Sequence, residues 1–164
     1  MLFNENWPRW LRVSTQSYLK TVAEGIEYLD AIFISGFSRK GGNWEDARLR
    51  AEIRVTGPFT VKKQPNYWSG RMFTNVALAL KLGEVGDVND IDRAAGVFHQ
   101  ALDSGIPMYK LGDSVCDDGS LIGCLSTVAE NASPVRTIDL GEVDVVDQQR
   151  QALVTATYFI ELKN

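Results

Sequence analysis

From Ala47 to Thr56 the chain alternates without a break. Ala47, Leu49, Ala51, Ile53 and Val55 fall on one side, and Arg48, Arg50, Glu52, Arg54 and Thr56 on the other. Successive side chains of a strand point to opposite faces, so this segment specifies a strand with one apolar face and one charged face. A parallel strand covered by helices on both sides needs apolar residues at both sets of positions. The alternation therefore favours an antiparallel sheet with its helices gathered on one face. It also fixes the register, because a slip of one residue would carry arginines into the core.

The rest of the chain fits that frame. Trp7, Trp10, Leu11, Tyr18 and Val22 recur at helical spacing, Pro8 suits a first turn and Gly25 a C-terminal end, which predicts a helix over about 8–24. Leu29 to Phe37 reads as a strand running into the basic loop Gly36–Gly42. Gly57-Pro58 interrupts the alternating strand, with Phe59 to Lys63 resuming beyond a bend. Pro65 to Gly70 reads as a turn carrying two aromatics, followed by a strand over Arg71–Leu82. Ile91, Ala94, Ala95, Phe98 and Leu102 form the stripe of a second helix at about 90–103, capped by Asn89 or Asp90 and closed by Gly105. Short strands at Pro107–Leu111 and Leu121–Val128 flank an acidic loop. The chain then ends in a strand with Ala152, Val154, Ala156, Tyr158, Ile160 and Leu162 on one face. The expected fold class is α+β, a mainly antiparallel sheet with an N-terminal helix and a second helix packed on one face. With 164 residues and no dividing linker or repeat, residues 1–164 are expected to form a single domain.

The net charge of -4 does not suit a general nucleic-acid binder, which needs a surplus of Lys and Arg. The first residues show no basic segment leading into an apolar run, and no stretch approaches the ~18 apolar residues of a spanning helix. A soluble protein of the cytoplasm, with Cys116 and Cys124 as free thiols, is the expectation.

No combination of residues assembles a recognisable catalytic centre. His99 is the only histidine, so nucleophilic triads and multi-histidine metal sites would all have to use it. Asp113, Asp117 and Asp118 cluster before Gly119 but lack the spacing of a calcium loop. Gly36–Gly42 lacks the Gly-Lys-Ser/Thr ending of a phosphate cradle. Neither a cofactor nor a metal is expected, and the chain is read as a non-enzyme. Interaction is the better expectation. Arg48, Arg50 and Arg54 line one strand face, and arginine forks pair well with carboxylates such as those of Asp113, Asp117 and Asp118 on a neighbouring copy. Arg39 and Lys40 in the glycine-rich loop, and Tyr67 with Trp68, complete the candidate contact residues.

Several segments taken together carry a resemblance. They are Arg50-Ala-Glu-Ile-Arg-Val-Thr-Gly-Pro-Phe59, Asn66-Tyr-Trp68, Asn75-Val-Ala-Leu-Ala-Leu80, Ile106-Pro-Met-Tyr-Lys-Leu-Gly-Asp113 and Ile122-Gly-Cys-Leu125. In this order, over about residues 47–162, the chain resembles the tail-terminator or tail-completion (neck) proteins of long-tailed bacteriophages. The resemblance implies a structural virion protein, assembled in the host bacterial cytoplasm into a ring, with a hexamer expected. Such a ring caps the tail tube and meets the head connector, so the implied partners are further copies of itself, the tube protein and the connector proteins. DNA would pass through the hole without sequence-specific binding, and no membrane is involved. Other small tail or neck components, or a monomeric module presenting Tyr67 and Trp68 to a ligand, are the alternatives.

Overall fold

The computed structural model describes residues 7–35, 46–64, 67–83, 86–111, 119–126, 135–144 and 149–163. Helix α1 spans Trp7–Glu24, strand β1 Ala31–Ile34, β2 Leu49–Gln64, β3 Tyr67–Lys81, helix α2 Asp90–Asp103, β4 Ile106–Tyr109, β5 Leu121–Leu125, β6 Val135–Asp144 and β7 Gln149–Lys163. A five-stranded sheet has the order β1-β2-β3-β7-β6, and β4 with β5 forms a separate two-stranded sheet. Every pairing is antiparallel except β1 with β2. This is the α+β architecture expected from the alternating strand.

The alternation of β2 does what its pattern requires. Leu49, Ala51 and Ile53 are fully buried, with Val55 close to it, while Arg50, Glu52 and Arg54 lie on the opposite face. Ile53 stands opposite Val76 on β3, and Val76 opposite Val154 on β7, so one apolar row crosses three strands. Met72, Leu78, Leu80, Ala152, Ala156 and Tyr158 extend this inner face, and both helices pack on it. The stripe of α2 is buried as its spacing predicts: Ile91, Ala94, Ala95, Phe98 and Leu102.

Helix α1 buries polar residues as well as apolar ones. Thr15 Oγ1 donates to Leu11 O at 2.8 Å within the helix. Gln16 Nε2 donates to Ser35 O at 2.9 Å, just beyond β1. The Tyr109 amide of β4 donates to Ser14 Oγ at 3.0 Å. Buried polar groups are tolerated when they are hydrogen-bonded, and the last two of these bonds tie the helix to the ends of two different strands.

Several boundaries differ from expectation, each for a physical reason. β3 begins at Tyr67, before the expected Arg71, because Tyr67 to Gly70 pair on both sides, with Gln64 to Thr60 and with Lys163 to Ile160. Gly57 takes φ +103° and the register shifts between Thr56 and Phe59, so β2 bulges there and continues to Gln64. β1 spans Ala31–Ile34, starting after the expected Leu29, and residues 36–37 of the expected strand lie outside the described residues. The N-cap Asn89 makes no side-chain cap; the Asp87 carboxylate accepts its amide instead, at 2.9 Å.

Strand β6 was not singled out by the sequence pattern. Its apolar residues Ile138 and Leu140 point away from the core, at 42% and 49% exposure. Thr137 and Asp139 lie on the side of α2, where both remain exposed. Thr137 Oγ1 lies 2.9 Å from His99 Nδ1, and Asp139 accepts from Arg150 at 2.9 Å. An alternating strand whose apolar side faces out gives no signal of where it belongs.

Candidate interaction surface

The three arginines of the alternating strand have separate fates. Arg48 precedes β2, and its guanidinium donates to Asp90 Oδ2 and to Asp87 O, each at 2.8 Å. Asp90, 6% exposed, also accepts from Arg93 at 3.2 Å. Arg93 in turn lies over the Tyr28 ring at 4.7 Å. Arg48 is thereby committed to fastening the start of α2 to the sheet, where acidic residues also complement the helix dipole. Arg50 donates to Gln149 Oε1 at 3.1 Å, on the outer face of the sheet. Arg54 is exposed and donates through Nε to Glu52 at 2.7 Å.

The aromatic pair also divides. Trp68 is only 3% exposed and sits edge-on to Trp7 of α1, with ring centroids 4.0 Å apart. Its indole N–H donates to Thr60 Oγ1 at 3.1 Å. A Cβ on Gly70 would stand 2.1 Å from the Trp68 ring, so the glycine makes the seat for the indole. Trp68 is thus spent in docking α1 and is not presented to a ligand by this chain. Tyr67 is half-buried, and its hydroxyl donates to Glu161 at 2.9 Å. Arg39, Lys40, Asp113, Asp117 and Asp118, with Cys116, lie outside the described residues. The expected pairing of the arginine face with the acidic loop therefore has only its Arg50 and Arg54 side in place.

A further ionic cluster joins α2 to the edge of the sheet. Arg150 donates to Asp139 at 2.9 Å and to Asp92 at 3.0 Å. The hydrogen bond from Arg150 holds the Asp139 carboxyl below the usual carboxylate range, and its bond to Asp139 raises the Arg150 guanidinium further. Two tyrosines anchor the opposite side of α2: Tyr158 donates to Leu102 O at 2.8 Å and Tyr18 to Ala101 O at 3.1 Å. Burial pushes both phenols above their ordinary range. Among the described residues no group of three His, Cys, Asp or Glu could hold a metal ion. No helix among them is long and apolar enough to cross a membrane.

Some exposed apolar side chains gather on the outer face of the sheet, which neither helix covers. Ile138 and Leu140 on β6 lie beside Leu153 on β7, which is half-buried. Leu140, Leu153, Ala77 and Ala79 line a shallow hollow of about 230 Å³, with Arg50 and Glu52 at its side. Farther along the same face, Phe59 is 52% and Phe159 36% exposed, and Phe59 leans on Phe73 with centroids 6.2 Å apart. On the β4–β5 sheet, Leu121 is 63% exposed.

No family model matches this chain, and no curated protein matches it. Nine chains of solved structures do match. One of them, whose name states no function, superposes over 95% of this chain and 95% of its own length, with a TM-score of 0.57 and 11% identity. That degree of likeness concerns the fold alone.

Proposed function

We propose that this chain is a structural subunit of a long-tailed bacteriophage virion, forming a ring that terminates the tail tube and joins it to the head connector. The observation that carries the reading is the outer face of the five-stranded sheet, which neither helix covers among the described residues. Ile138, Leu140 and Leu153 lie side by side on it, and clustered exposed apolar side chains mark sites of association. Arg50, Glu52 and Arg54 border it and give the contact a polar rim of the kind that sets register between subunits. The segment resemblance over residues 47–162 supplies the biological setting, with the tube protein and connector proteins as partners and DNA passing through the hole. The mild negative charge suits that passage, because a strongly basic channel would retain the phosphate backbone.

Negative-stain electron microscopy of the purified protein, alone and with assembled tail tubes, tests the reading. Rings seated at one end of the tubes are the expected result. Particles that stay monomeric and leave the tube ends bare would refute it. Rings bound elsewhere would shift the assignment to another tail or neck component.

A further inference from the structure

The outer face of the sheet divides into two halves. One holds the apolar hollow around Ala77, Ala79, Leu140 and Leu153. The other begins one row farther along the strands. There Arg54, Asn75, Thr155 and Arg136 stand side by side across β2, β3, β7 and β6. Thr56, Phe73 and Thr157 form the next row, and Phe59, Arg71 and Phe159 the one past the Gly57 bulge. Buried Val55, Met72, Thr74, Ala156 and Tyr158 take the alternate positions, so the side chains of these rows point away from the helices.

Arg54, Arg71 and Arg136 are exposed, and the three rows contain no acidic residue, a local charge of +3 in a chain of net charge -4. Net charge speaks against a general nucleic-acid binder, but it does not describe this face. Glu52 borders the first row and pairs with Arg54. A guanidinium has five donors, so Arg54 can hold Glu52 and a second anion together. Beyond the last row Glu161 accepts from the Tyr67 hydroxyl, and Lys62 lies over the Tyr67 ring at 5.9 Å. Among the described residues neither Arg71 nor Arg136 has a carboxylate partner. Two unmatched guanidiniums and a third at the border, with hydroxyls and an amide between them, suit phosphate oxygens.

We infer that this half of the sheet is a contact surface for the phosphate backbone of duplex DNA. The three arginines pair with phosphates, and Asn75 and the threonines between them supply further hydrogen bonds. The inference goes beyond the ring reading and holds for a single copy as for a ring. At about 4.8 Å between strands and about 3.4 Å per residue, the patch measures roughly 14 Å in each direction. That is close to the roughly 12 Å width of the major groove, so its arginines can reach phosphates on both strands of a duplex. A single strand is held in a groove that tracks one backbone, whereas this patch is as broad as it is long. Contacts to phosphates carry no sequence information, so binding is independent of sequence. Three contacts are few: affinity falls by about fortyfold between roughly 50 and 200 mM salt, which leaves DNA free to slide.

Fluorescence anisotropy of a labelled mixed-sequence duplex, titrated with the protein over a salt series, tests this. A plot of log affinity against log salt should have a slope of about -2.7. Arg71→Ala and Arg136→Ala should each flatten it by about 0.9, and adding Arg54→Ala to both should weaken low-salt binding by at least about tenfold. The corresponding lysine substitutions keep the charges and should keep the slope. Lys20→Ala, on α1 and away from this face, should leave binding unchanged. All these positions are at the surface, and thermal melts check that each variant is folded. Absence of binding at low salt, or binding that survives the triple alanine variant, would overturn the inference. Lysine variants as weak as the alanine ones would overturn it too, since the arginines would then act through packing and not charge. Poly-glutamate competing as well as the duplex would point instead to an acidic protein surface, and tighter binding of single-stranded DNA would rule out the duplex. None of these results bears on the ring reading, which is tested by assembly.

Discussion

Ile53 and Arg54 are neighbours in sequence and opposites in environment. Ile53 is fully buried beside Ala51, Val55 and Val76, while Arg54 reaches solvent beside Glu52. Ile53→Asp should place an unpaired carboxylate in the core and cost more than about 4 kcal/mol, enough to unfold the domain or abolish its expression. Arg54→Asp should change stability by no more than about 0.5 kcal/mol. Thermal melts of the pair check this, and an Arg54→Asp protein that unfolds while Ile53→Asp folds would invert the strand. Tyr158 offers a test that depends on pH. Tyr158→Phe loses the hydrogen bond to Leu102 O, worth about 1 kcal/mol at neutral pH. Burial raises the phenol in the folded state. Its contribution is therefore complete below the unfolded value of about 10 and is lost as pH rises toward the folded value. Urea melts at pH 7 and at about pH 10.5 should show the gap between wild type and Tyr158→Phe narrowing. A gap that stays constant would mean the phenol ionises as freely in the folded protein as outside it.

Elements were legible where one face is buried and the other wet. The strand from Ala47, the stripe of α2 and the face from Ala152 to Ile160 all carry that contrast, and all are found as the pattern predicts. Legibility failed where another rule governs. Pro65 to Gly70 carry turn residues, yet pairing on both sides and the seat for Trp68 make Tyr67 to Gly70 strand. β6 turns Ile138 and Leu140 outward while burying only Val135 among its described side chains, so its pattern gave no signal of which face is the core. Arg48 belongs by alternation to the charged face, but it lies before β2 begins and turns to Asp90 instead. That pairing makes the junction of α2 and the sheet an element-scale prediction. Asp90→Ala strips two guanidinium groups of their carboxylate and leaves Arg48 largely covered, which should cost about 2 kcal/mol. Hydrogen exchange should show the first turn of α2 opening before the rest of the helix. Unaltered stability would show that the cluster is ornamental and that apolar packing of Ile91 alone holds the helix start.

At the scale of the molecule, the candidate contacts were only partly readable. Arginines and tryptophans attract attention as contact residues, but Arg48 and Trp68 are consumed in holding the helices on the sheet. The surface that stands out in three dimensions is made of ordinary residues such as Ile138, Leu140, Phe59 and Val61, whose exposure no sequence pattern announces. A fold with both helices on one side leaves an outer sheet face that neither helix covers, and the ring reading assigns that face to contact with further copies of the chain. The central claim is that this protein works as an assembled ring. Native mass spectrometry of the purified protein across a range of concentrations tests it most directly. The account predicts one closed oligomer of fixed stoichiometry, with six subunits expected. A monomer at every concentration, or an open-ended ladder of oligomers with no preferred size, would contradict it.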